Sequence, residues 1–494
     1  MDDTEQQRTP EAKGPRRTYW EMLDELTLKV PRPDPDGEEV FQTVGTPEAT
    51  PPVQEAVPPV EEPRSSAAKD RERALTARLM EQVCEPENLN RAYARVKANK
   101  GSAGVDGLSV NKLADWIKLH QRELIASLLD GSYQPQPVRG VQIPKPGGKG
   151  MRQLGIPTVV DRLVQQAIVQ VLEPILDPTF SASSYGFRPG RSAHDALAKA
   201  REYVAEGRVI VVDIDLEKFF DKVNHDILMA RLGRRVGDKR MLKIIGRFLR
   251  AGMMQNGVCV RRQEGTPQGG PASPLLANLL LDDLDKELER RGHKFCRYAD
   301  DCNIYVQSKA AGERVLASVT AFLEQKLKLR VNRDKSAVAF VGERKFLGHR
   351  LLAGGVLGIA PQSLERARGR LRQITRRSRG VSFEQVIGEI NEFVVGWVTF
   401  FRHAAAKSHL TAMDQWLRRR LRCLRLKQCK RTKTIAEFLH RLGVPKWRAW
   451  IGASSGKGWW RCADTPPVHE GMNATWFESI GLVSLTERYV QLKG

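Results

Sequence analysis

The sequence predicts an α+β fold in which a small antiparallel sheet backed by helices precedes an almost wholly helical, strongly basic region. Three stretches carry that expectation. Residues 209–216, Val-Ile-Val-Val-Asp-Ile-Asp-Leu, form the clearest strand. Residues 294–306 read as two short strands joined by an Ala-Asp-Asp turn, and beyond residue 360 the apolar spacing is helical.

Taken in order, residues 31–66 hold nine prolines and eight acidic residues against two basic ones. Such a stretch buries too little apolar area to offset its ordering entropy, so an extended or disordered segment is expected. Ahead of it, residues 17–30 suit a short helix or a strand equally. From about residue 67 the text is that of a folded protein. Helix is expected over 69–97 with a break near Pro86, and a glycine-rich turn over 100–107. That turn lacks the Gly-Lys-Ser/Thr ending of a phosphate loop.

Residues 138–156 read as a hairpin whose tip presents Lys145, Lys149 and Arg152, cations suited to clamp a triphosphate. A helix follows over 160–176. In the 209–216 strand, two-residue periodicity places Val209, Val211, Asp213 and Asp215 on one face. Both faces are apolar until the C-terminal end, as in an interior strand covered by helices. Asp213 is expected to support the site by hydrogen bonding. Helices are expected over 226–250, 273–290 and 312–329. Three more, over 364–377, 383–402 and 411–430, are separated by Gly380 and by a polar turn near 408–411. In the last, Met413, Trp416, Leu417, Leu421 and Leu424 make an apolar face, while Arg418, Arg419, Arg422, Arg425 and Lys430 crowd the rest.

The 494 residues carry a formal net charge of +22, unevenly spread. Residues 1–66 hold 7 Lys/Arg against 15 Asp/Glu, whereas residues 361–450 hold 21 against 6. A field of that size attracts polyanions, and phosphate contacts would release condensed counterions. No stretch is apolar enough to span a membrane, and the polar first twenty residues do not suit a secretory signal. Seven cysteines without a Cys-x-x-Cys pair suggest free thiols in a reducing compartment, hence a cytoplasmic protein.

Adjacent aspartates in a hairpin turn repel each other unless cations neutralise them. Asp300 and Asp301 form such a pair, and Asp215 ends a strand that could neighbour the hairpin. Three carboxylates of this kind can hold two Mg²⁺ ions roughly 3.5–4 Å apart, one at an attacking 3′-oxygen and one at a leaving pyrophosphate. Hard oxygen ligands suit Mg²⁺, and no His/Cys set suggests zinc.

Tyr298-Ala299-Asp300-Asp301 resembles the signature of group II intron-encoded reverse transcriptases. Further blocks agree and follow the family's order. Asp215-Leu216-x-x-x-Phe220 resembles the first catalytic motif, which implies Asp215 as metal ligand, Leu216 offering a backbone oxygen, and Phe220 rejecting a 2′-hydroxyl on the incoming sugar. Gln268-Gly269-Gly270-Pro271-x-Ser273-Pro274 resembles the motif packed against nucleotide and template. Ser184-Tyr185-Gly186-Phe187-Arg188-Pro189 and Gly155-Ile156-Pro157 resemble fingers blocks, which makes Tyr185, Phe187 and Arg188 candidates for lining a template channel. Asn332-x-x-Lys335-Ser336 and Phe346-Leu347-Gly348 resemble later palm blocks, with Lys335 a candidate proton donor to pyrophosphate. Gly396-Trp397-x-x-Phe400-Phe401 and the run around Leu417–Arg422 resemble the maturase region. There Lys427-Gln428-Cys429-Lys430 departs from the family's usual Lys-Gln-Trp-Lys by losing an indole.

The resemblance implies a right-hand polymerase. Residues 1–66 would be an N-terminal extension, 67–205 the amino-terminal part and fingers, and 206–360 the palm with fingers-like helices. Residues 361–450 would be a helical thumb or maturase domain, and 451–494 a short DNA-binding-like tail without a nuclease. It also implies deoxynucleoside triphosphate substrates, intron RNA as partner, a target DNA with its primer strand, and a second copy of the chain as a further candidate. Splicing assistance with retromobility is the leading expectation. A related enzyme of host defence, spacer acquisition or DNA repair, or a splicing-only RNA binder, is the alternative. A bacterial protein acting on DNA would associate with the nucleoid.

Overall fold

The structure is a computed structural model that describes residues 76–144, 150–255, 258–260, 262, 264–454, 456 and 458–493. The readings of residues 1–66 and of the hairpin-tip cations Lys145 and Lys149 therefore lie outside the described residues. The chain divides into two compact units. One runs to Ala196 and resumes over Val212–Val338, and the other comprises Leu197–Val211 and Ala339–Gly494.

The first unit opens with α1 (Leu79–Cys84) and α2 (Pro86–Ala98), separated at Pro86 as its missing amide requires. After α3 (Leu113–Leu129), β1 (Val138–Pro144) and β2 (Met151–Ile156) pair antiparallel, with Arg139 opposite Ile156 and Pro144 opposite Met151. Helix α4 (Val159–Leu176) is capped by Thr158, whose side chain accepts from the Asp161 amide. Its stripe of Leu163, Val164, Ala167, Ile168 and Leu172 is buried, as the spacing demanded. Helix α5 (Ala193–Ala205) leads into β3 (Ile210–Ile214), so the clearest strand is shorter than its apolar text and Asp215 lies just past its end.

The continuous helix expected over 226–250 is instead broken. The single-turn α6 (Phe219–Lys222) is followed by α7 (His225–Gly233) and α8 (Lys239–Arg250). Asp238 starts α8 by accepting from the amides of Arg240 and Met241 at 2.9 and 3.3 Å. An N-cap inside an apolar periodic run was the signal that the period alone obscured. Strands β4 (Met253–Gln255) and β5 (Val258–Val260) complete a four-stranded sheet of order β2-β1-β4-β5.

Helix α9 (Ser273–Arg290) precedes β6 (Lys294–Tyr298) and β7 (Asp301–Val306), which pair antiparallel from Lys294–Tyr305 to Tyr298–Asp301. After α10 (Lys309–Phe322) and β8 (Ala337–Phe340), the second sheet reads β6-β7-β3-β8. Its middle strands are largely buried, and the covering helix α9 turns Leu276, Leu280, Leu284 and Leu288, all buried, into the core.

In the second unit β9 (Lys345–Phe346), β10 (His349–Leu351) and β11 (Leu357–Ile359) make a three-stranded antiparallel sheet. The buried His349 ring lies 4.7 Å from that of Phe401. Helices α11 (Pro361–Ile374), α12 (Phe383–Phe401) and α13 (Lys407–Cys429) follow. The turn expected near 408–411 falls earlier, between Phe401 and Lys407. Trp416 does not join the buried face of α13; it is half-buried, with the guanidiniums of Arg372 and Arg420 5.7 and 5.4 Å from its ring centroid.

The three-helix expectation for this region is too small. Among the described residues, α14 (Thr432–Arg441), α15 (Lys446–Ala453), α16 (Trp459–Cys462), α17 (Pro466–Gly471), α18 (Ala474–Ser479) and α19 (Leu485–Gln491) continue the bundle. Short helices of four to ten residues give few turns for a periodic signal, and their partners come from far along the chain. Asp414 on α13 shows this: its carboxylate accepts the amides of Leu485 and Thr486, both at 2.9 Å, and the Ser484 hydroxyl at 3.1 Å. The result is a mixed α+β region followed by a helical carboxy-terminal one.

Candidate active site

The site is organised around the end of β3 and the β6–β7 turn, adjacent strands being β7 and β3. The turn has two residues, Ala299 and Asp300, between paired Tyr298 and Asp301. Ala299 takes φ +58°, which a two-residue hairpin needs and which costs a residue with a Cβ about 1–3 kcal/mol. That strain sits between the signature tyrosine and the aspartates.

Asp215 is fixed by the segment after α10. Its amide donates to the Ser336 hydroxyl at 3.0 Å, and its carbonyl accepts the Asn332 amide at 2.8 Å. The Lys335 ammonium lies 3.1 Å from Oδ2 of Asp215. Both groups are substantially exposed, so the pair is a weak electrostatic tie rather than a structural one. Leu216 is buried and bridges Val331. Asp300 and Asp301 are half-buried. Desolvation first lifts the Asp300 carboxyl above the usual aspartate range, its own backbone amide opposes this, and the charge of Asp215 adds to the rise; Arg152 and Arg297 pull the other way. Asp215 and Asp300 therefore sense each other as like charges.

The other expected contributors of the first unit also gather by hydrogen bonding. Arg152 on β2 donates from Nε to Oε1 of Gln268 at 2.6 Å, and the Gln268 carbonyl accepts the Gly155 amide at 3.0 Å. Gly269, at φ +130°, has no room for a side chain: a Cβ would stand 2.8 Å from the Gly155 oxygen. Phe220 is half-buried, its ring 5.2 Å from Phe219 and edge-on to it, and its carbonyl accepts the Thr266 amide at 2.6 Å.

Two expected nucleic-acid contacts are disposed otherwise. Arg188 is buried and committed internally. Nε lies 2.6 Å from Oδ1 of Asp177, and Nη1 donates to the carbonyls of Ser181 and Ser184 at 2.6 and 3.0 Å. Tyr185 is buried as well, while Phe187 is half-buried with its ring 6.3 Å from Tyr298.

In the second unit Arg422 is buried, donates to the Met472 carbonyl at 2.9 Å, and is pulled down to about 10 by desolvation. Arg419 pairs with Asp464 at 2.9 Å and stacks 4.3 Å from the Trp460 ring centroid. The Arg425 guanidinium lies 4.9 Å from the Phe438 ring centroid. Helix α13 must pack on two sides, and guanidiniums with long apolar stems fill one of them. Lys427 and Lys430 are exposed, Lys427 donating to the Arg377 carbonyl at 3.2 Å, and Arg418 is half-buried.

Sequence reading missed the fully buried Arg297, Asp285 and Asn278 beside the turn. A signal existed: Asn278, Asp282 and Asp285 interrupt one face of the leucine-rich α9 at helical spacing.

In donor chemistry the carboxylates and the Leu216 carbonyl suit a hard divalent cation, whose charge would relieve the Asp215–Asp300 repulsion. Among the described residues no three His, Cys, Asp or Glu side chains are gathered closely enough to enclose a metal ion, and it is Lys335 that lies against Asp215. Nor is any described helix long and apolar enough to cross a membrane.

An acidic strand end beside an acidic hairpin turn, in a helix-backed sheet followed by a basic helical bundle, defines a polymerase-like protein. Residues 143–351 match the family described as reverse transcriptase (RNA-dependent DNA polymerase), and residues 364–443 match the group II intron, maturase-specific domain. The chain is 35% identical over 317 residues to Protein YkfC of Escherichia coli (strain K12), covering 56% of this chain and 83% of that protein. It is 38% identical over 227 residues to the group II intron-encoded protein LtrA of Lactococcus lactis subsp. cremoris, covering 44% of this chain but 36% of that protein. A solved partial Cas6-RT-Cas1–Cas2 complex is similar over 50% of this chain and 43% of that one, at 29% identity and a TM-score of 0.34. The chain belongs to the group II intron-encoded reverse transcriptase/maturase family, and is a reverse transcriptase by class.

Proposed function

We propose that this protein copies a group II intron RNA into DNA by two-metal nucleotidyl transfer, and that it also binds that RNA to assist its splicing and its retromobility. The observation that carries the reading is the placement of Asp215 at the end of β3 beside the strand whose turn holds Asp300 and Asp301. Two Mg²⁺ ions bound there would activate the primer 3′-hydroxyl and steady the leaving pyrophosphate.

The chain's own residues then have separable tasks. Asp215, Asp300 and Asp301, with the Leu216 carbonyl, supply the oxygen donors. Arg152, held against Gln268, brings its positive charge to the triphosphate, with Lys145 and Lys149 beside it in sequence. Gln268 packs against the nucleotide, and Phe220 excludes the 2′-hydroxyl. Lys335, paired with Asp215 at 3.1 Å, offsets that charge before substrate arrives, and its role in the reaction is to give a proton to pyrophosphate. Phe187 contacts template. The exposed cations at the C-terminal end of α13, Lys427 and the following Lys430, together with half-buried Arg418, meet the RNA backbone. Target DNA with its primer strand is the second nucleic-acid partner, and two copies of the chain could act together.

The test is to sequence RNA that copurifies with the protein, joined to Mg²⁺-dependent primer extension on that RNA. Recovery of the intron surrounding the gene, and its conversion to cDNA, is the expected result. Recovery of unrelated RNA alone would redirect the substrate assignment, and no extension on any RNA template would overturn the enzymatic one.

A further inference from the structure

We infer that Arg297 is a positioning residue for the aspartate turn, holding Ala299, and through it Asp300 and Asp301, by a fully satisfied buried bracket. This rests on the polymerase reading above. Arg297 is 0% exposed, and each of its five guanidinium N–H groups has a partner. Nε donates to Oδ1 of Asp285 at 2.7 Å, and Nη2 donates to Oδ2 of Asp285 at 2.5 Å. The second Nη2 hydrogen goes to the Ser184 hydroxyl at 2.8 Å. Nη1 donates to Oδ1 of Asn278 at 3.0 Å and to the carbonyl of Ala299 at 2.8 Å.

That last bond reaches the left-handed residue of the turn itself. Rigid α9 supplies Asp285 and Asn278, so the guanidinium transfers the position of a helix to a two-residue hairpin. The loop over 183–186 closes the other side. The Arg297 amide donates to the Ser183 carbonyl and the Tyr185 amide to the Arg297 carbonyl, both at 2.9 Å, and Asn278 Nδ2 donates to the Gly186 carbonyl at 2.8 Å. Gly186 lies so close that a Cβ there would stand 2.3 Å from the Ala299 nitrogen. An ion pair this deep is not needed for stability alone, since apolar replacements often serve as well; its geometric content is what the turn uses. Lysine could not replace it, because one ammonium cannot span Asp285, Asn278, Ser184 and Ala299 together.

The full-length protein with Arg297→Gln, Arg297→Lys, Ser184→Ala and Gly186→Ala tests this. Gly186→Ala pushes on the same turn without removing a charge, and Ser184→Ala removes one bracket bond, so both remain informative should the arginine variants fail to fold. Three readouts are taken: single-turnover primer extension on RNA, Mn²⁺ binding to the primer–template complex by calorimetry, and hydrogen exchange of peptides spanning residues 295–306. We expect the turn variants to lose about 10–100-fold in extension rate or Mn²⁺ affinity, the usual range for residues that orient metal ligands. Primer–template affinity should be unchanged, exchange across the turn should rise, and Arg297→Lys should not rescue. Folded variants with wild-type rate, Mn²⁺ affinity and exchange would overturn the bracket. A wild-type protein that extends no primer would instead overturn the polymerase reading, while the exchange readout would still decide the bracket.

Discussion

At the scale of single residues, the arrangement separates groups that would do chemistry from groups that place them. Asp301 opens β7 opposite Tyr298, so an amide there keeps the hairpin pairing while removing a charge. We predict that Asp301→Asn abolishes DNA synthesis and leaves RNA binding nearly intact; extension at the wild-type rate would sink the assignment. Phe220 stands on a different footing. Its ring is half-buried against Phe219 but its backbone is anchored at Thr266, so shortening the side chain should not displace the loop. Phe220→Ala should raise ribonucleotide incorporation relative to deoxyribonucleotide, read from paired extension assays, and unchanged sugar discrimination would refute the steric role. These aspartates were legible from motif and strand period alone. Arg297 was not, because its meaning lies in partners 12, 19 and 113 residues away in the chain.

At the scale of elements, α13 shows why counting arginines misleads. One face of the helix is apolar core, a second is occupied by Arg419, Arg422 and Arg425 packed on aromatic rings and carbonyls, and toward its C-terminal end the outward charge is carried by exposed Lys427, by Lys430 just past the helix, and by half-buried Arg418. Neutralising Arg418, Lys427 and Lys430 together should weaken RNA binding and flatten the log–log salt dependence by roughly 2, at about 0.7–0.9 per lost phosphate contact. An unchanged slope would remove α13 from the RNA interface. Arg422→Gln should act differently, lowering stability with little effect on the slope. Asp414 gives the sharper stability test, because it caps the start of α19 and leaves two amides unpaired when lost. Asp414→Ala should cost about 1–3 kcal/mol in urea unfolding of the carboxy-terminal unit. A variant as stable as wild type would show that α19 is held by its apolar contacts alone.

For the whole molecule, charge is the dominant property. The net +22 conceals an acidic residue 1–66 stretch of −8 on a remainder of +30. Field strength at a distance follows the sum, so a chain shortened to residues 67–494 should bind non-specific RNA more tightly at low salt. The difference should vanish once the ionic strength brings the screening length to about 3 Å, near 1 M salt. Equal affinity at low salt would mean that the acidic stretch lies electrostatically remote from the bound RNA.

The sequence by itself determined the fold class, the order of the polymerase-like blocks, the three candidate aspartates and the sign of the partner's charge. Those properties are local or additive. A strand period, a two-residue turn and a charge sum need no knowledge of what lies beside them. Tertiary structure decided which cations face outward and which are spent on carbonyls and rings, where the helical run expected over 226–250 breaks, and that the start of α19 folds back onto α13 through Asp414. It also decided how the strained Ala299 turn is held. The physical reason is the same in each case. A buried polar group is worth its place only if its partners are met, and those partners are set by packing between segments far apart in the chain.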